Sequence, residues 1–202
     1  MNYPLTSINP NAIIGSNVQI DPFTVIHEDV QIGEGSWIGS NVTIFPGARI
    51  GKNVKIFPGA VISAIPQDLK FGGETTTAEI GDNSTIRECV TINRGTSDKL
   101  KTVIGKNCLI MAYVHVAHDC FIGDHCILAN SVQMAGHVTV GEFAIIGGSV
   151  GGGIAWEMAA LNPKITQHLI PIATDWKSTD WLIANCQIQE QFLVNSSNPV
   201  HD

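Results

Sequence analysis

The chain has 202 residues, 44% of them hydrophobic and 14% charged, and its 11 basic and 18 acidic side chains leave a formal net charge of −7. An acidic chain is a poor binder of nucleic acid, which requires cations against phosphate, and this much hydrophobic sequence excludes general disorder. Charge well under the roughly 25% of ordinary soluble domains, together with 20 glycines, argues against a helical bundle or coiled coil.

The opening Met-Asn-Tyr-Pro-Leu-Thr has no basic region followed by an apolar core, so no signal peptide is expected. No apolar run approaches the roughly 20 residues of a transmembrane segment. The 5 cysteines include no C-x-x-C spacing, which fits a reduced, cytoplasmic setting.

A six-residue period then takes over. Large aliphatics fall at Ile14, Ile20, Ile26, Ile32, Ile38, Ile44, Ile50, Ile56 and Ile62, resume in phase at Ile80, Ile86 and Ile92, and resume again from Ile104 to Ile146. Small or β-branched residues such as Val18, Val42, Val90 and Val114 stand two positions earlier, and glycines such as Gly33, Gly81 and Gly105 follow just after. Neither a helix nor a plain alternating strand has a period of six. A two-sided short strand followed by a tight corner does, with glycine expected to permit the corner conformation. Three such strands make an 18-residue triangular coil, and stacked coils make an all-β solenoid. The aliphatic pattern lapses over residues 63–79 and 93–103, which read as loops projecting from the prism, where function commonly resides.

The solenoid therefore spans residues 1–148. Past Gly148 the pattern stops at Gly151-Gly152-Gly153, and residues 149–202 read as a short irregular tail. Within that tail, 178–194 is expected to be helical with Ser178 as its N-cap, covering an open solenoid end.

Counting by 18 places His118 beneath Gly136 and Asp119 beneath His137, on one wall of consecutive coils. A neutral imidazole suits deprotonation of a hydroxyl, Asp119 is placed to orient it, and the Gly136 N–H is a donor for a developing oxyanion. The alternative is a polar, solvent-facing corner without chemistry, and spacing alone does not separate the two. His115 and His118, three apart, are expected on opposite faces of a strand, and no further ligand completes a metal set, so no metal is expected. Cys108, Cys120 and Cys126 occupy the small inward position and read as core. In the first loop Gln67, Asp68 and Lys70 suit sugar hydroxyls or phosphate. The 48 residues between Lys70 and His118 are not a multiple of 18, which puts them on different faces of one prism and points to a site between protomers of a cyclic oligomer.

The hexads resemble the left-handed β-helix acyltransferases. Ile65-Pro66-Gln67-Asp68-Leu69-Lys70-Phe71, Thr91-Ile92-Asn93-Arg94-Gly95-Thr96, His115-Val116-Ala117-His118-Asp119-Cys120 and Ala135-Gly136-His137-Val138 are similar to the acyl-carrier-protein–UDP-N-acetylglucosamine O-acyltransferase family, first in lipid A biosynthesis. The resemblance implies a left-handed parallel β-helix, a cytoplasmic homotrimer with sites between subunits, and no cofactor beyond the acyl carrier protein thioester. It implies His118 as general base, assisted by Asp119, with Gly136 stabilising the oxyanion. Gln67, Asp68, Lys70, His115 and His137 match positions that contact the sugar nucleotide or acyl group. Residues 149–202 match none of that family's further hexads or its helical C-terminal domain. An inactive sugar-nucleotide-binding scaffold and a different hexapeptide-repeat acetyltransferase are the alternative readings.

Overall fold

The computed structural model describes residues 3–148 and 168–172. Its strands, mostly of two residues, form three parallel sheets of seven, seven and eight strands, each coil contributing one strand to each sheet. The first sheet runs from Ser7–Ile8 through Val61–Ala64, Thr91–Asn93 and His115–Val116 to Gln133–Met134. The second runs from Ile13–Ile14 through Thr77–Ile80, Lys101–Ile104 and Phe121–Ile122 to Thr139–Val140. The third begins at Gln19–Ile20 and continues through Ile127–Leu128 and Ala144–Gly148.

Strand alternation explains the hexad. In Thr85–Ile86, for example, Thr85 faces outward while Ile86 is fully buried. The same holds for Ile26, Ile38, Ile44, Ile56, Ile62, Ile92, Ile104, Ile110 and Ile122, which line one continuous core along the prism axis. The small inward residue two positions before each aliphatic has a second duty where it is polar. Thr24 Oγ1 donates to Gly39 O (2.9 Å), Ser36 Oγ to Gly51 O (3.0 Å) and Ser84 Oγ to Gly105 O (2.8 Å) on the next coil. The thiols of Cys108, Cys120 and Cys126 do likewise toward Gly123, Ala135 and Gly141. These cysteines are core, as their spacing predicts, and they also satisfy corner carbonyls that would otherwise be buried without a donor.

The glycines do a different job from the one expected. Gly33, Gly81 and Gly105 do not adopt left-handed backbone; a Cβ on Gly81 would lie 2.6 Å from the Gly105 carbonyl carbon. They are glycine because successive coils approach too closely for a side chain. The left-handed positions fall elsewhere: on Asn17, Asn53, Asn83 and Asn107, with φ between 53° and 60°, a conformation asparagine tolerates well, but also on Gly35, Gly47 and Gly59 and on larger residues such as Phe23, Tyr113, His125 and Phe143.

Register gives the loops their measure. Ser7 pairs with Val25 and Val25 with Thr43, a step of 18, but Val61 pairs with Thr91, a step of 30, and Thr91 with His115, a step of 24. The first loop thus inserts 12 residues and the second 6. Strands extend into both ends of the expected loops, leaving 65–76 and 94–100 between them. Beyond the hexads the backbone continues differently from the irregular tail expected: His168–Ile172 pairs in parallel with Ala144–Gly148 as the eighth strand of the third sheet. The described residues all belong to one compact unit. The helix expected over 178–194 lies outside the described residues.

Truncating a core aliphatic in mid-prism, as in Ile86→Ala, is expected to cost about 2–5 kcal/mol in urea unfolding. The outward-facing Lys55→Ala, one coil away, is expected to stay within about 0.5 kcal/mol of the parent.

Candidate active site

Four segments converge on the edge between the first and second sheets, one from each of four consecutive coils: the loops 65–76 and 94–100, then the corners that carry His118-Asp119 and Gly136-His137. At their centre is the carboxylate of Asp119, with no exposed surface. It accepts from Thr96 Oγ1 (2.6 Å), from the N–H of Thr96 (3.0 Å) and Lys99 (3.3 Å), and from His118 Nδ1 (2.9 Å). Burial pushes its pKa up, but the Thr96 hydroxyl, the His118 ring and the two backbone donors outweigh that and hold the carboxyl below its usual range. Because an ionised carboxylate only accepts, the hydrogen of neutral His118 is fixed on Nδ1 and the lone pair on Nε2.

The surroundings of Nε2 are equally specific. A Cβ on Gly136 would lie 2.6 Å from His118 Cε1 and 2.7 Å from Nε2, so only glycine leaves the imidazole in place. The Gly136 N–H has no acceptor among the described residues. Asp68 Oδ2 stands 4.0 Å from His118 Nε2. The His118 side chain keeps only 13% of its surface exposed, which disposes of the solvent-facing corner.

Asp68 reaches to 4.0 Å from His118 Nε2 within one chain, whereas the count by 18 concerns Lys70, two residues on in the same loop. The 12 inserted residues void that count, and they form a loop folded back over the edge. Asn93 Nδ2 donates to Ile65 O (3.1 Å), the Arg94 N–H to Ala64 O (3.0 Å), and the Arg94 guanidinium lies 5.5 Å over the Phe71 ring. Asn93 and Arg94 thus clamp the loop. Gln67 and Lys70 stand exposed on it, outside the His118 cluster. His115 is also apart: its Nδ1 meets Thr91 Oγ1 at 2.7 Å on the first sheet, and burial lowers its pKa. His118 is at a corner rather than on a strand, so opposite strand faces do not describe the pair.

His137 joins the cluster. Its ring meets that of His118 edge-on, with centroids 4.9 Å apart, and its Nδ1 is 3.1 Å from Asp98 Oδ2. The structure therefore supplies what the sequence reading found missing, a set of ligand-type atoms on His118, Asp119 and His137 all within 4.8 Å. Sequence reasoning missed Thr96, Asp98 and Lys99. The one available signal was their place in the second loop, immediately after the Asn93-Arg94 clamp.

The hexapeptide pattern has counterparts among known proteins. A bacterial transferase hexapeptide (six repeats) model matches residues 11–46 and 101–136. The solved UDP-N-acetylglucosamine acyltransferase of Bacteroides fragilis superposes with a TM-score of 0.72 at 55% identity, covering 73% of this chain and 58% of that one. The described coils form a left-handed parallel β-helix of hexapeptide repeats. Among curated proteins, the acyl-[acyl-carrier-protein]–UDP-N-acetylglucosamine O-acyltransferase of Chlorobaculum tepidum is 60% identical over 60 residues, 30% of this chain and 23% of that one. That of Aquifex aeolicus is 62% identical over 61 residues, again 30% and 23%. The chain thus spans a little over half of the solved relative and under a quarter of the curated ones. Among its described residues no helix is long and apolar enough to cross a membrane.

Thr96→Val removes one of the donors to a fully buried carboxylate and is expected to cost about 1–3 kcal/mol in chemical denaturation. An unchanged unfolding free energy would show that the Thr96 hydroxyl is dispensable to Asp119.

Proposed function

We propose that the chain transfers a 3-hydroxyacyl group from the thioester of acyl carrier protein to the 3-hydroxyl of UDP-N-acetylglucosamine. The observation that carries this reading is the buried Asp119–His118 pair, which leaves Nε2 as a free base beside the Gly136 N–H. A hydroxyl oxygen at hydrogen-bond distance, about 2.8 Å, from both Nε2 and Asp68 fits the 4.0 Å between them.

In this reading His118 Nε2 takes the hydroxyl proton as the oxygen attacks the thioester carbonyl. The tetrahedral oxyanion is met by the Gly136 N–H, which has no acceptor among the described residues. Collapse expels the carrier's thiolate, and the proton held on Nε2 passes to it. Asp119 stabilises the transient imidazolium and keeps the ring oriented. Asp68, Gln67 and Lys70 on the clamped loop, with His115 and His137, form the surface for sugar nucleotide and acyl chain. The named activities of the relatives, the shared fold and the resemblance of the four motifs noted in the sequence support the donor and acceptor. A cytoplasmic homotrimer, in which a neighbouring copy completes the binding surface, belongs to the same reading.

The test incubates the full chain with UDP-N-acetylglucosamine and a 3-hydroxyacyl carrier protein and follows the 3-O-acylated product. His118→Ala is expected to abolish transfer, and an unchanged rate overturns the mechanism. Asp119→Asn, which keeps the shape but lets the amide donate toward His118, is expected to lower kcat on the order of 10²-fold or more. Gly136→Ala is expected to lower kcat as well, because its methyl group occupies the space of the His118 ring. Asp119 ionises below the ordinary carboxylate range, so the stability it lends is present above the unfolded-state pKa of about 3.9. That stability is lost only as pH falls through the lower folded-state value.

A further inference from the structure

The carbonyl of Ala135 and the N–H of Gly136 are the two ends of one peptide unit, and the carbonyl is held from inside the prism. Cys120 Sγ, on a side chain buried in the core, donates to Ala135 O at 3.1 Å. The next peptide is tied to the same coil, because the His137 N–H donates to His118 O (3.0 Å). A planar trans peptide points its N–H opposite to its C=O, and the described residues contain no cis peptide. An inward carbonyl therefore obliges the Gly136 N–H to point outward, onto the edge that holds His118.

Other corners show what such an N–H does. Gly51 and Gly105, like Ala135, directly follow the inward aliphatic of a strand, and their carbonyls accept from Ser36 Oγ (3.0 Å) and Ser84 Oγ (2.8 Å). The N–H groups at the far end of those two peptides belong to Lys52 and Lys106. Each donates to a carboxylate oxygen at 2.8 Å, Asp82 Oδ1 and Asp124 Oδ1 respectively. A corner peptide anchored inward thus presents its N–H to an anionic oxygen. Gly136 has the same anchor and no acceptor among the described residues.

We infer that Cys120 is a positioning residue for acyl transfer: its buried thiol fixes the plane of the Ala135–Gly136 peptide and so aims the donor that meets the oxyanion. The effect on rate rests on the acyltransferase reading above, whereas the anchoring does not. Burial pushes the Cys120 thiol up, so it keeps the proton it donates. A hydrogen bond at the carbonyl also polarises the amide and strengthens its N–H as a donor.

Ala135–Gly136 is the only Ala-Gly dipeptide in the sequence. Labelling alanine carbonyls with 13C and glycine nitrogens with 15N in the full chain therefore isolates one carbonyl–amide NMR signal. Cys120→Ala is expected to move that carbonyl resonance upfield, Cys120→Ser to return it toward the parent position, and Cys108→Ala to leave it in place. Serine is the rescuing residue because Ser36 and Ser84 already fill this role at other corners. In transfer assays Cys120→Ala is expected to lower kcat about tenfold with KM within about twofold, a part of the loss that follows removal of an oxyanion donor outright. Cys120→Ser is expected to recover most of that rate. Cys108→Ala deletes the equivalent bond, to Gly123 O, at a corner that lacks the base. It is expected to lower unfolding stability as Cys120→Ala does while leaving kcat unchanged. If Cys120→Ala fails to fold, Cys120→Val and Cys120→Thr, alike in shape and different in the hydroxyl, make the same comparison. An unmoved signal in Cys120→Ala, or a moved signal with unchanged kcat, overturns the positioning role. So does an equal loss of kcat in Cys108→Ala, which assigns the effect to stability. If the signal moves as expected but the parent chain transfers no acyl group, the acyltransferase reading falls and the anchor stands.

Discussion

Everything at the candidate site depends on coil-to-coil register. Parallel pairing places residue i directly beneath its partner one coil above, so a corner motif on one coil is delivered onto the corner motif of the next with no freedom to slip. A one-residue slip in this prism would turn every buried isoleucine outward. The core penalty for that slip fixes the corners, and the corners carry the chemistry. His118 lies beneath Gly136, and Asp119 beside His137, because Val116 and Met134 are both inside.

The same register explains which parts of the molecule could be read from its sequence. The core isoleucines were legible because alternation within a hexad is a local property. The stacking of His118 beneath Gly136 was legible too, because no insertion separates them. Asp68 and Lys70 lie inside the first insertion, where a count of eighteen has no meaning; the 12 and 6 inserted residues add up to 18, so that count returns only beyond both loops. Thr96 and Asp98 lie inside an insertion, where neither count applies; nothing in a loop's composition says that its threonine will meet a carboxylate 23 residues later. The corner glycines were recognised for the wrong reason. Close approach of backbones is a relation between coils, and a single coil's sequence shows only that a side chain is missing.

The loops also divide their labour in a way the motifs alone do not reveal. Asn93 and Arg94 make their contacts with the backbone and Phe71 of the earlier loop, so this motif is a clamp, and the acid–base pair is served by the residues just after it. Asp119 is a buried anion with no cation bonded to its carboxylate. It is held by hydroxyl, amide and imidazole donors, an arrangement that keeps the charge without a Lys or Arg bonded to it among the described residues.

In a stack of repeats, stability is approximately a sum of nearest-neighbour terms, and segments open and close locally rather than all at once. Asp68, Thr96, His118 and Gly136 each come from a different one of four consecutive coils. The site is therefore only as persistent as the least stable interface among those four. Fraying that never approaches the far end of the prism is enough to take it apart, and the lifetime of the assembled edge is a property of a short stretch of the stack rather than of the whole chain.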